Sequence, residues 1–252
     1  MAVGAPVRIA TYNIHRGYGH DRRQDLDRVA AVLREMKADV LALQEVDSDP
    51  DPGEEDLLDH LAHLATATGF HAVTGPTLRR RGMAYGNLLL SRHPVSEVAH
   101  LDLCVAGCEP RAAIDAALVV GRTDVRVIVT HLGLRPGERR TQIGRLLPRV
   151  APRGEHLLVL AGDMNEWLPF SRSLRPLRRV LGPGTFHATF PARFPLLSLD
   201  KIFVSPARAL RASWVHRTPA AARASDHLPV IAEIDLAQAA VAREDLPTTW
   251  TA

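Results

Sequence analysis

Residues 157–165 read Leu-Leu-Val-Leu-Ala-Gly-Asp-Met-Asn. An apolar run of strand length, Leu157–Ala161, ends at Gly162 and at once delivers a carboxylate and an amide, Asp163 and Asn165. Such a run reads as a buried β-strand. A carboxylate beside a buried strand is costly unless it is paired or ligated, so this stretch predicts a central strand with part of a site at its end. The same pattern recurs outward in both directions. Asn13 lies near the end of Val7–Ile14, Glu45 follows Val40-Leu41-Ala42-Leu43-Gln44, and His131 ends Val127-Ile128-Val129-Thr130. Asp200 precedes Lys201-Ile202-Phe203-Val204, and Asp226-His227 precede Leu228-Pro229-Val230-Ile231. Each of these alone reads equally well as a turn or cap residue. Together they point to a site assembled at strand ends, where layered α/β proteins build theirs.

Between these strands the periodicity changes. Asp21-Arg22-Arg23-Gln24 reads as an N-cap with Gln at the third helical position, followed by Leu26, Val29, Ala30, Leu33 and Met36 at helical spacing. A second helix is expected over Glu54–Thr68, stopped by Gly69, a third over Arg135–Val150 and a short basic one over Leu174–Leu181. The middle is strand-rich: Ala84–Ser91, Val95–Val105, Arg111–Val120 and Val125–His131, with Lys201–Ser205, Arg211–Val215 and Leu228–Ile234 later. Helices flank strands in both halves, and a run of adjacent strands lies between them. This predicts a mixed α/β layered domain rather than a purely alternating parallel sheet. No repeat or linker divides the chain, so a single domain over 1–236 with a loose tail at 237–252 is expected.

Composition narrows the function. The 252 residues carry 31 Lys+Arg against 28 Asp+Glu, a formal charge of +3, and of the bases only Lys37 and Lys201 are lysine. Basic character therefore matters only where it clusters: at Arg79-Arg80-Arg81, along the helix bearing Arg135, Arg139, Arg140, Arg145, Arg149 and Arg153, and at Arg172, Arg175, Arg178 and Arg179. These clusters read either as solvated faces or as contacts to a polyanion. No apolar run approaches the roughly 20 residues of a membrane span, and no signal peptide is visible, so a cytoplasmic protein is expected; a monomer is expected too. Cys104 and Cys108 make neither a disulfide framework nor a four-thiolate zinc site. There is no Gly-Lys pair, which excludes a P-loop, and no Gly-x-Ser-x-Gly or His-Glu-x-x-His. His60-x-x-His63 beside Asp56 and Asp59 reads as a polar helix face, spacing that chance supplies readily.

The residues at the strand ends have a specific chemistry. Glu45, Asp226 and Asn13 offer hard oxygen ligands with no thiolate, a set suited to Mg²⁺ or Mn²⁺. A divalent ion there neutralises a phosphoryl oxygen and stabilises a leaving alkoxide. Asp163 orients and deprotonates a water, Asn165 holds a phosphate oxygen, and a histidine fixed by a carboxylate such as Asp200 acts as acid, base or clamp. The expected reaction is metal-assisted in-line attack on a phosphoester.

The ordered series Thr11-Tyr12-Asn13-Ile14, Leu43-Gln44-Glu45-Val46, Gly86-Asn87-Leu88-Leu89-Leu90-Ser91, Thr130-His131-Leu132, Gly162-Asp163-Met164-Asn165, Leu199-Asp200-Lys201-Ile202-Phe203-Val204 and Ser225-Asp226-His227-Leu228-Pro229 resembles the endonuclease/exonuclease/phosphatase superfamily, the deoxyribonuclease-I-like fold. The resemblance runs from about residue 7 to 235. It implies a four-layer α-β-β-α sandwich with two central mixed sheets packed face to face, and a divalent-metal phosphohydrolase. Carried over, Glu45 is the principal metal ligand with Asn13 beside it, and Asp226 is a ligand or the support of one. Asp163 and Asn165 position water and phosphate, Asp200 orients His227 against the scissile phosphate, and His131 is a general-acid candidate. Arg111 stands where the family often places a phosphate-facing arginine. Asn87 and Trp167 are expected on the substrate side, with His15 and Tyr85 along the cleft or behind it, and Phe170 joins Trp167 as a stacking or acyl-contacting residue or as core. His131 stands where abasic-site nucleases carry a tyrosine-containing segment, which argues against abasic-site repair. The expected activity is that of a phosphodiesterase acting on nucleic acid or a phospholipid headgroup. A phosphomonoesterase and a catalytically retired nucleic-acid or partner-binding domain are the alternatives.

Overall fold

The computed structural model describes residues 6–50, 59–80, 83–121, 123–151 and 157–240. Strands β1 (Val7–Asn13), β2 (Val40–Pro50), β3 (His71–Arg80), β4 (Met83–Ser91), β10 (Leu210–Val215) and β11 (Val230–Ile234) form a six-stranded sheet in the order β10-β11-β1-β2-β4-β3. Strands β5 (Val95–Asp102), β6 (Ala112–Val120), β7 (Thr123–His131), β8 (Leu157–Asp163) and β9 (Asp200–Ser205) form a second sheet in chain order. Each sheet is antiparallel except for one parallel pair, β1 with β2 and β7 with β8. Each of those pairs is bridged by a helix, α1 (Leu26–Glu35) in the first and α3 (Pro136–Val150) in the second.

Strand alternation explains why the sheets stack. In β8, Leu157, Val159 and Ala161 turn to one face, and Leu158 and Leu160 to the other. The first set meets Ile9, Val40 and Ala42 of the other sheet in a common core, to which Val127, Val129 and Ile202 also belong. Fully burying each aliphatic side chain there is worth about 1.5–3 kcal/mol. The outer face of the first sheet packs on α1, α2 (His60–Thr68) and α5 (Ala221–Ala224), and that of the second on α3 and α4 (Arg175–Leu181). The result is the four-layer α-β-β-α sandwich the sequence led us to expect.

Several local readings needed correction. Helix α1 starts at Leu26, and its N-cap is Asp25, which accepts from the Arg28 amide at 2.8 Å. Asp21 instead closes a preceding turn and binds the Arg28 guanidinium at 2.9 Å. Helix α2 is capped by Asp59; residues 54–58 of the expected helix lie outside the described residues. Gly69, at φ 69°, is the left-handed stop that was anticipated. Strand β3 was not foreseen, because Gly75-Pro76 interrupts its alternation and its register with β4 shifts between Pro76 and Leu78. Helix α6 (Leu236–Ala240) buries Ala239 in the core, so the packed chain runs past the expected boundary at 236; residues 241–252 are not described.

Candidate active site

The alternation that builds the core also aims the polar residues. Asn13 shares its face of β1 with Ile9, His131 shares its face of β7 with Val127 and Val129, Asp163 follows Val159 and Ala161 on β8, and Asp200 shares its face of β9 with Ile202. All four point between the sheets, just where the core ends. Pairing supplies the rest: Asn13 is in register with Gln44, and Asp163 with both His131 and Asp200. The two sheets meet where Asn13 Nδ2 donates to Asp163 Oδ2 at 3.1 Å.

Glu45 breaks the alternation, since Leu43 and Gln44 already occupy the two faces. A bulge between Leu43 and Val46 and a left-handed backbone at Glu45, φ 58°, turn its carboxylate toward Asn13, whose Nδ2 donates to Glu45 Oε1 at 2.9 Å. A left-handed glutamate costs on the order of 1–3 kcal/mol and persists where its surroundings over-determine it. Asn165 is also left-handed, φ 48°, with its amide N–H on Asp163 Oδ1 at 2.8 Å. Gly162 makes the close approach of β7 and β8 possible, because a Cβ there would lie 1.8 Å from the Thr130 carbonyl oxygen.

The two histidines are in opposite states. His227 Nδ1 lies 2.8 Å from Asp200 Oδ2, and its Nε2 lies 3.8 Å from Asp163 Oδ2. Burial opposes its charge, but the attraction and hydrogen bond of Asp200, then Asp163 and Asp226, outweigh it and push the pKa up to about 10. Burial, reinforced by Arg111 and His227, overcomes the pull of Asp163 on His131 and holds its pKa at about 3. Asn165 agrees with a neutral His131: its Nδ2 donates to the Leu132 carbonyl at 2.7 Å and lies 3.1 Å from His131 Nε2, leaving that nitrogen to accept. A neutral His131 is poorly suited to the general-acid role expected of it.

The cleft over these groups has a volume of about 530 Å³ and is lined by Glu45, Tyr85, Arg111, His131, Asp163, Asn165, Trp167, Phe190 and His227 among others. The buried guanidinium of Arg111 enters it, 3.2 Å from Glu109. Burial, followed by the Glu45 charge, raises the Tyr85 phenol. Trp167 is half exposed at the rim. Asn87 is buried and bridges the sheets, donating to the Ala112 carbonyl at 2.9 Å. Asp226 stands apart and half exposed, near His15 at 3.6 Å. His60 and His63 diverge: His60 Nδ1 accepts from the Asp47 amide, while His63 lies 3.0 Å from Asp27.

The donor set fits a hard divalent cation, with carboxylates on either side of Asn13 and no thiolate. Asp163, Asp200 and His227 also offer three ligand atoms within 4.8 Å of one another. Sequence reasoning missed three supports. Thr189 donates to Asp200 Oδ2 at 2.6 Å, Phe190 packs on the His227 ring at 5.0 Å, and Ser225 Oγ donates to the Asn13 carbonyl at 2.8 Å. Only Ser225 had a signal, its place beside Asp226-His227.

The sequence profile of the Endonuclease/Exonuclease/phosphatase family matches residues 10–227, and the chain belongs to that family, whose members are metal-dependent phosphoesterases. It is 32% identical to the uncharacterized protein YbhP of Escherichia coli strain K12, over 91% of this chain and 96% of YbhP. An endonuclease/exonuclease/phosphatase from Beutenbergia cavernae superposes with a TM-score of 0.71 at 25% identity, covering 92% of this chain and 72% of that one. The Bacteroides vulgatus endonuclease/exonuclease/phosphatase superposes at 0.73 with 19% identity, covering 91% and 98%.

Proposed function

We propose that this chain hydrolyses phosphodiesters with Mg²⁺ or Mn²⁺, using Glu45, Asp163 and Asn165, Asp200 and His227 as its working residues. The observation that carries the reading is the buried Asp200–His227 pair, whose Nε2 faces the Asp163 carboxylate across the cleft. Glu45 would hold the cation, with Asp163 on the other side of Asn13 and Asp226 as a further ligand or the support of one. When bound, it supplies neutralisation of a phosphoryl oxygen and of the leaving alkoxide. Asn13, by donating from Nδ2 to both Glu45 and Asp163, fixes the span between them. Asp163 Oδ2 accepts a proton from water, and its Oδ1 is held by the Asn165 amide. Charged His227 meets the phosphoryl oxygens or protonates the leaving oxygen, and Asp200, itself held by Thr189, fixes its ring. His131 serves as an acceptor that orients Asn165.

The charge balance favours a diester over a monoester. Against the carboxylates of Glu45, Asp163 and Glu109, the cleft sets Arg111, His227 and the divalent ion that Glu45 would hold, a surplus of about one positive charge. A singly charged phosphodiester needs less compensation than a dianionic monoester. The test is hydrolysis of bis-(p-nitrophenyl) phosphate beside p-nitrophenyl phosphate, with Mg²⁺, Mn²⁺ or EDTA. Metal-dependent cleavage of the diester, lost in Asp163→Asn and His227→Ala, is the expected result. Preferred cleavage of the monoester, or full diester activity in both variants, overturns the reading.

A further inference from the structure

Seven of the nine large apolar side chains that the described residues expose lie on segments that leave or enter this cleft, and two of them, Leu134 and Trp167, line it. Three segments carry them, each joined to a site residue. The first follows His131 and exposes Leu134, 72% accessible. The second follows Asp163–Asn165 and exposes Trp167, Leu168 and Phe170, the last 92% accessible. The third leads into Asp200 and exposes Phe186, then Phe194 and Leu196, the last 79% accessible. Phe194 and Leu196 lie in a turn closed by the Phe190–Leu197 bridge, and those two residues line the cleft itself. Leu168 and Phe170, which follow Trp167 in the chain, line with Phe186 a second hollow of about 320 Å³. Isolated exposed apolar residues need no explanation, but a contiguous set around a site marks an interaction surface.

The charge on these segments says what they meet. Between Asp163 and Asp200 the sole acid is Glu166, which is buried against Arg139, Ser171 and Ser173. The same stretch exposes Arg172, Arg175, Arg179 and Arg193, and Arg193 lies over the Phe194 ring. Exposed leucine and phenylalanine interspersed with arginine, with no exposed acid between Asp163 and Asp200, is the composition of a surface that rests on anionic lipid. The exposed Glu109, which lines the cleft with Leu134, is paired with Arg111 at 3.2 Å. Leu134, Leu168 and Leu196 have no π-face on which a base can stack, which disfavours single-stranded nucleic acid. Three arginines of the expected polyanion clusters are also engaged elsewhere: Arg139 with Glu166, Arg145 with the Cys104 carbonyl, and Arg178 with the carbonyls of Pro169 and Ser171.

We infer that this rim docks on the surface of an anionic phospholipid bilayer and presents the cleft to lipid phosphodiesters; the docking stands on the rim alone, and the lipid substrate rests on the phosphodiesterase reading above. The test is co-sedimentation of the full chain with vesicles of phosphatidylcholine alone or mixed with phosphatidylglycerol. Parallel assays measure binding of a fluorescent single-stranded oligonucleotide, sedimentation velocity without lipid, and bis-(p-nitrophenyl) phosphate hydrolysis. The wild type is expected to sediment with the mixed vesicles. Each of Phe170→Ser and Leu196→Ser should weaken that binding about tenfold, and Arg193→Ser should weaken it less and flatten its salt dependence. All three variants should keep wild-type hydrolysis of the soluble diester if that activity exists, since none of them lines the catalytic groups. Because sedimentation needs no turnover, loss of the phosphodiesterase reading leaves this result unaffected. Wild-type protein that stays in the supernatant with both vesicle types overturns the proposal. So do variants that bind vesicles as the wild type does. Oligonucleotide binding, or a dimer, that the same substitutions abolish while vesicles bind nothing also overturns it, in favour of nucleic acid or a second copy.

Discussion

Glu166 is the strongest structural lever on the site that does not belong to it. Its Oε2 accepts from Arg139 Nη2 at 3.0 Å, from Ser173 Oγ at 2.8 Å and from Ser171 Oγ, while Oε1 accepts from the Leu168 amide at 3.1 Å. Arg139 also donates to the carbonyls of Gly133 and Leu134, so one ion pair ties the segment after β7 to the segment after β8. Burial pushes the Glu166 carboxyl up, but these bonds win and hold it below its ordinary range, so the group is anionic at neutral pH. Glu166→Gln keeps the shape and removes the charge. Breaking a buried pair on one side costs about 3–5 kcal/mol, and the carbonyls that still receive Arg139 place the loss near the lower end, about 3 kcal/mol. For a chain of this length that is a fall in Tm of about 6–12 °C, measured by circular dichroism at neutral pH. The double variant Arg139→Met/Glu166→Gln leaves no uncompensated charge and keeps an amide oxygen for the Ser171, Ser173 and Leu168 donors, so it should recover part of the loss. A single variant melting within about 2 °C of the wild type refutes the idea that this pair clamps the two segments.

Asp200→Asn removes the main support of the His227 charge, and diester hydrolysis at neutral pH should fall on the order of a hundredfold or more. As one side of a buried pair it should also lower Tm by several degrees while the circular dichroism spectrum of the folded protein is kept, and unchanged kcat is the contrary result. Gly162→Ala forces a Cβ against the Thr130 carbonyl oxygen at a backbone angle of φ +153°, so urea unfolding should show a loss of several kcal/mol, about 2 or more. Burial lowers the His60 pKa from its ordinary 6.5 to about 4, so the unfolded chain binds the proton more tightly. Its contribution is complete above about pH 6.5 and is lost as pH falls toward 4, by about 3 kcal/mol at most. A His60→Gln variant should show a flatter decline of stability across that window, and an identical slope speaks against the assignment.

Much of the site was legible in the sequence because period-two alternation does the aiming. Once Val159 and Ala161 are assigned to an inner face, Asp163 follows, and the same count places Asn13, His131 and Asp200. Glu45 could be named from its motif, but not from phase, since a bulge and a left-handed residue reverse its direction. Thr189 stayed hidden because its hydrogen bond to Asp200 depends on how the irregular segment before β9 folds back, and a lone threonine carries no periodic signal. The protonation states were equally invisible: two histidines of one intrinsic pKa are driven apart by burial and by which carboxylate each one faces. Strand β3 was lost for the opposite reason, having a place in the sheet but an alternation broken by Gly75-Pro76.

The contact between Asn13 and Asp163 joins one sheet to the other. Neither sheet holds the site alone, and the gap that this contact must span is set chiefly by packed aliphatic side chains, with Asn87 on the Ala112 carbonyl and His100 on the Thr74 carbonyl as further links between the sheets. The core is therefore the site's spacer as well as its foundation. Ala42 and Ala161 are two of its thinnest members. A larger side chain at either would wedge the layers apart behind the cleft, so that a change in bulk alone, remote from any reacting atom, detunes the distance between Glu45 and Asp163.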